Sequence, residues 1–165
     1  MFGRFLPYLA CCFWLVVPVL IIDGLFTASL PATFQPDSFW RDIPAWIAWP
    51  ENGFRFALIA LTVVLPLPWR RLGEKRTGLA IYLFGLIAYA LAWLAMIAWP
   101  QSGWSLGTIG LAAPAWTPLF WLLGIGLIAD GSLLLRFPAI RWAYWLVAAA
   151  FLGFHLGHTL LVLAR

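Results

Sequence analysis

The chain has two histidines, His155 and His158, set three residues apart in the apolar run FHLGH. On a helix that spacing puts both imidazoles on one face. Imidazole carries protons near neutral pH, ligates metals and hydrogen-bonds through two distinct nitrogens. Each of these uses needs partners. Asp23 lies near the end of one apolar stretch, and Arg55 near the start of another, four residues after Glu51. Charge inside an apolar segment is costly, so such groups pair or perform a function. The pattern predicts a ligand or proton site made by Asp23, Arg55, His155 and His158. In it Asp23 meets one of the histidines, and Arg55 meets Asp23 or Glu51. Interhelical hydrogen bonding is the plainer use of the same groups. Asp130 is a further candidate. Pairing with Arg136, Arg141 or an arginine of the 70–76 segment competes there with work as a gate or proton-coupling carboxylate.

A zinc site needs three or four ligands. His155, His158 and Asp23 reach only the lower limit, and H-x-x-H alone is a weak metal signature. Two histidines on one face of one helix cannot clamp a haem iron between them. No cofactor is therefore expected, with a metal ion or a single-histidine haem as the open alternatives. Cys11 and Cys12 are adjacent, far from the histidines, and read as small buried hydrophobes. The sequence has no phosphate-binding loop, nucleophile elbow, H-E-x-x-H or C-x-x-C. Ser29, Ser38, Ser102 and Ser105 fall on the histidine side, and nothing around them selects a nucleophile.

The elements that must hold these groups follow from composition. Of 165 residues, 64% are hydrophobic and 10% charged. A soluble domain carries about 25% charged residues, so a water-facing surface cannot be covered here. Two adjacent cysteines exclude a disulfide scaffold, and the apolar content excludes disorder. The expected fold class is all-α: a polytopic integral membrane protein forming one compact bundle of five transmembrane helices. A span takes roughly 20 apolar residues. The expected spans are about 5–26, 52–69, 78–99, 116–135 and 141–164, in a single domain covering 1–165. The first apolar stretch is about twice as long as a signal-peptide core and includes Asp23, which favours a span over a cleaved leader. Pro18 should bend it.

Lys and Arg set orientation. Arg4, the 70–76 segment with Arg70, Arg71, Lys75 and Arg76, and the Arg136–Arg141 region fall on one side. The other side has Asp37, Asp42 and Glu51 against Arg41, and an uncharged segment 100–115. The N-terminus is expected in the cytoplasm and the C-terminus outside, in a bacterial-type inner membrane. The net charge of +4 follows from this bias and is no nucleic-acid footprint. Twelve tryptophans supply an aromatic belt. In the first outer segment, Phe39, Ile43, Trp46, Ile47 and Pro50 recur at helical spacing, which predicts a short interfacial helix. The second outer segment should cover the helix ends. Small residues at Ala149, Gly153 and Gly157, and the stripe Tyr82, Gly85, Tyr89, Ala92 and Met96, predict helix contacts. The face opposite the glycines runs through Tyr144, Ala148, Phe151, His155, His158 and Val162.

WTPLFW, residues 116–121, resembles a fragment of the bacterial tryptophan-rich sensory protein family, also called translocator proteins. The likeness covers six residues, and no activity or site residue is carried over from it. With so little chain outside the expected spans, interactions must lie in or at the membrane. The leading expectation is a non-enzymatic accessory, assembly or protective subunit of a membrane complex. The alternative is a small-molecule or lipid-binding, transporter-like protein with its polar site in the outer half, and an enzyme comes third. Expected partners are membrane lipids and other membrane proteins, not nucleic acid.

Overall fold

The uncharged run 78–99 has no helix breaker inside it and forms a 23-residue helix, Arg76–Ala98. At 1.5 Å per residue it is about 35 Å long, enough to cross a hydrocarbon core of about 30 Å. The last apolar run forms a second long helix, Ala139–Leu163. The computed structural model describes residues 10–129 and 139–165. Within them the chain is all-helical: α1 (Phe13–Phe26), α2 (Pro36–Phe39), α3 (Ala45–Val64), α4 (Arg76–Ala98), α5 (Gly103–Leu106), α6 (Thr108–Leu111), α7 (Ala113–Trp116), α8 (Pro118–Ile128) and α9 (Ala139–Leu163). Three 3-10 turns, Thr27–Ser29, Ala32–Phe34 and Trp69–Glu74, complete the described secondary structure.

Two of the five expected spans, α4 and residues Ile140–Leu163 of α9, are long and apolar enough to cross a membrane. The other three fall short for separate reasons. α3 begins at Ala45 rather than residue 52, and its first three turns carry Pro50, Glu51, Asn52 and Arg55. The apolar helical stretches Phe13–Ser29 and Ala113–Ile128 have fewer than 18 residues. Parts of the expected first and fourth spans, residues 5–9 and 130–135, lie outside the described residues, as do Arg4 and Arg136.

Proline decides several boundaries. Pro44 caps α3, and Pro66 and Pro68 follow its end. α1 continues through Pro18 and α3 through Pro50. Each ring removes the amide that would bond the carbonyl four residues back. Cys11 and Cys12 precede α1 instead of lying in it. Both are buried, and the segment pairs with the chain after α3: Cys12 N–H donates to Leu65 O at 2.8 Å and Leu67 N–H to Ala10 O at 2.8 Å. The expected interfacial helix is divided. Only α2 and the two turns before it lie in the first outer segment, whereas Trp46, Ile47 and Pro50 belong to α3. Asp42 takes the left-handed conformation (φ 55°) in the bend that joins the two parts.

α4 packs chiefly on α8, and α9 on α3, while α1 touches both α3 and α4. The core joins Val16 and Val19 of α1, Tyr82, Tyr89 and Trp93 of α4, Trp121, Leu122 and Ile125 of α8, and Tyr144 and Phe151 of α9. Two tyrosines bolt helices together across it. Tyr82 Oη donates to Leu15 O at 2.9 Å, and Tyr144 Oη to Leu122 O at 2.9 Å. The stripe on α4 from Tyr82 to Met96 is buried throughout. The glycine ridge of α9 is a different case. Among the described residues, nothing lies within 4 Å of where a Cβ would stand on Gly153 or Gly157, so no described helix closes on them. The close approach occurs at Gly85, against the backbone of Phe120 and Trp121, and at Gly124, against Tyr82.

Gly85→Ala should therefore destabilise the protein by about 1–3 kcal/mol, the usual cost of overpacking. Gly153→Ala should be neutral or stabilising by up to about 1 kcal/mol, through helix propensity alone. Unfolding midpoints of the purified variants in mild detergent check both; equal midpoints would refute the assigned packing.

Candidate functional site

Glu51 sits in the second turn of α3 with its carboxylate fully buried. Three side chains converge on it. Arg55, one turn further along α3, approaches Oε1 through Nη2 at 2.6 Å. His155 of α9 approaches the same oxygen through Nδ1 at 2.9 Å. His158, one turn on, approaches Oε2 through Nδ1 at 2.5 Å. The histidine spacing that aligns two imidazoles on α9 thus matches the two oxygens of one carboxylate on α3.

His158 is held on every side. Its Nε2 lies 2.9 Å from Phe39 O at the end of α2, its ring stacks on Phe39 at 4.1 Å, and it meets the edge of Trp40 at 4.6 Å. A carbonyl only accepts hydrogen bonds, so Nε2 donates. The Nδ1–Oε2 contact then holds one proton between imidazole and carboxylate. With that proton on the Oε2 side, Oε1 has none to give, so His155 donates from Nδ1. In a neutral His155 this leaves Nε2 as an acceptor. Arg55 also donates from Nη1 to Asn52 Oδ1 at 3.2 Å. Its guanidinium lies 5.6 Å from the Trp40 ring centre and 5.7 Å from that of Phe151, within cation–π range.

Beside this cluster is a cavity of about 350 Å³. Asp23, Arg55 and His155 line it, together with Tyr89, Thr159 and an apolar remainder that includes Val19, Leu58, Trp93 and Trp121. Both outer segments contribute, the first through Leu30, Phe34, Phe39 and Trp40, the second through Leu111 and Pro114. The segment 100–115 is folded, not slack. Ser102 caps α5 by accepting from Ser105 N–H at 3.1 Å, and Ser105 Oγ donates to Ala95 O at 3.1 Å. Asp23, in the last turn of α1, accepts from Tyr89 Oη on its Oδ1 at 2.5 Å.

Of the predicted site residues, Asp23, Arg55 and His155 do meet on one cavity wall. Arg55 meets Glu51, one of its two expected partners, but the expected pairing of Asp23 with a histidine changes. Both histidines bind Glu51, and Asp23 binds Tyr89. Asp130 lies outside the described residues; Arg141, one of its expected partners, reaches Gly126 O at 3.4 Å. As for the alternative of a metal held by His155, His158 and Asp23, no group of three or more His, Cys, Asp or Glu side chains able to hold one is present among the described residues. Glu51 was legible only as a neighbour of Arg55, four residues away on one helix face. The tyrosine stripe signalled Tyr89. The Phe39 carbonyl is backbone and left no signal.

Compared with known proteins, the chain matches no family model, no curated protein and no solved structure.

Glu51→Ala should cost about 3–5 kcal/mol, because it strands the donors that face a buried carboxylate. Asn52→Ala, which removes two partly buried hydrogen bonds, one from Arg55 and one to Ala48 O, should cost about 1–2 kcal/mol. Thermal unfolding in detergent separates the two; similar losses would remove Glu51 from the centre of the site.

Proposed function

We propose that this protein is a multi-pass membrane protein that binds an amphipathic small molecule or lipid in the cavity beneath its outer segments. The observation that carries the reading is the cavity itself. At about 350 Å³ it falls in the range of roughly 300–1,000 Å³ typical of ligand pockets. Its wall is mostly apolar, with Asp23, Arg55 and His155 converging on it. An apolar body would lie along Val19, Leu58 and Trp93, and its polar end would face the three ionisable groups.

Membrane placement is supported by α4 and α9 and by the apolar surface. Phe84, Ile87 and Leu91 of α4 and Trp142 and Leu146 of α9 are exposed. Such a surface suits lipid and not water. The basic 70–76 segment and the acidic first outer segment favour an inner membrane with the N-terminus in the cytoplasm and the C-terminus outside. A phosphatase fused after Arg165 should then be active and a green fluorescent protein dark; the reverse pattern refutes the orientation.

One observation favours a second reading, an accessory or assembly subunit of a membrane complex. The ridge of Ala149, Gly153 and Gly157 on α9 leaves open space at both glycines, as a helix of another subunit would require. Native mass spectrometry from mild detergent tests both. Under the binding reading the protein runs with a small adduct, and the double substitution Val19→Trp with Leu58→Trp removes the adduct from folded protein. An adduct that survives in the double variant places the occupant elsewhere. A chain always recovered with another subunit and never with an adduct favours the accessory reading.

A further inference from the structure

The three ionisable groups on the cavity wall differ in what they still lack. Arg55 is paired with Glu51 at 2.6 Å, donates to Asn52, and lies over two aromatic rings. His155 is turned by its Nδ1 contact to the same carboxylate. Asp23 has no such partner. It accepts one hydrogen bond, from the neutral Tyr89 hydroxyl, and makes no ion pair among the described residues. An acidic group on an apolar wall without a cation in contact is a costly arrangement. The cavity also has an aromatic lining, Phe34, Trp40, Tyr89, Trp93, Trp121 and Phe151. Aromatic faces attract cations. A carboxylate acceptor, with surrounding ring faces and the Nε2 acceptor that a neutral His155 adds, suits a group that donates several hydrogen bonds and carries positive charge.

We infer that the cavity is selective for an organic amine, whose ammonium group binds Asp23 while its apolar body lies among the aromatic side chains. This rests on the binding reading above and adds the charge of the ligand to it. The Arg55 guanidinium is engaged with partners of its own, held to Glu51 at 2.6 Å and lying over the Trp40 and Phe151 rings. An anionic ligand would face the Asp23 carboxylate and would have to draw Arg55 from Glu51, leaving a buried carboxylate with one donor fewer.

The test uses three water-soluble probes of nearly equal size, phenylbutylamine, phenylbutanol and phenylbutyrate. Each is titrated calorimetrically into the full chain in a non-ionic detergent. The Val19→Trp, Leu58→Trp double variant serves as the blank for micelle partitioning. The amine should bind about tenfold or more tighter than the alcohol, as expected for a charge-assisted hydrogen bond, and the carboxylate should bind weakest. Asp23→Asn should abolish the amine's advantage and leave the alcohol's affinity unchanged, whereas Asp23→Glu should retain it. If Asp23→Asn does not fold, the wild-type ranking of the three probes decides the matter. An alcohol that binds as tightly as the amine overturns amine selectivity and leaves the cavity as a binding site. A carboxylate that binds tightest also overturns it and assigns recognition to Arg55. If no probe binds the wild-type chain above the blank, the binding reading falls, and the amine with it.

Discussion

One buried carboxylate sets the terms for the end of the molecule where α2, α3 and α9 meet. Glu51 is inaccessible to solvent, and such a group is tolerable only when its lone pairs are filled. Arg55 fills one from the same helix, and His155 and His158 fill others from α9. The requirement fixes the register of α9 against α3, because sliding either helix by one residue would take both imidazoles off the carboxylate. It also reaches the first outer segment. His158, held by Glu51 on one nitrogen, offers the other to the carbonyl of Phe39 and stacks on its ring. One acid group therefore determines where a helix pair and its cover meet.

The cavity exists because the helices are tied at polar points along its margins. Tyr82 and Tyr89 fasten α4 to α1, Tyr144 fastens α9 to α8, and Glu51 fastens α3 to α9. Close backbone approach at Gly85 and Gly124 draws α4 onto α8. α1, α3, α4, α8 and α9 all contribute side chains to the cavity wall between these ties. Packing by shape alone would favour filling that volume with larger side chains. Its wall instead places Asp23, Arg55 and His155 among apolar neighbours.

Periodicity made much of this legible. The α4 stripe from Tyr82 to Met96, and the α9 face from Tyr144 to Val162 that includes His158, are core positions that a 3.6-residue repeat picks out. Matched depth brought Asp23, Arg55 and His155 to a common site. The limits have physical causes. Pro50 read as part of a short interfacial helix and residue 52 as the start of a separate span, yet one helix, α3, runs from Ala45 through Pro50 and carries Glu51 inside it. Pro44 sits at the N-cap, where its missing amide costs nothing, and Pro50 is carried inside the helix at the loss of one backbone hydrogen bond. Pairing preferences also escaped. A carboxylate takes the nearest donors in three dimensions, and Glu51 outcompeted Asp23 for both imidazoles. Small-residue spacing looks alike on every helix, so the sequence did not distinguish the glycines that this chain buries from those it leaves open.

The Glu51–histidine contacts join residues 104 and 107 positions apart. A ribosome delivers α3 long before α9, so for most of synthesis Glu51 has no imidazole to meet. Arg55 emerges four residues after it, on the same face and within ion-pairing reach. That guanidinium is the only one of the three basic partners present when α3 first leaves water. The bond between Glu51 and Arg55 is thus an early escort: it carries an acid through assembly until the last helix arrives to take its share.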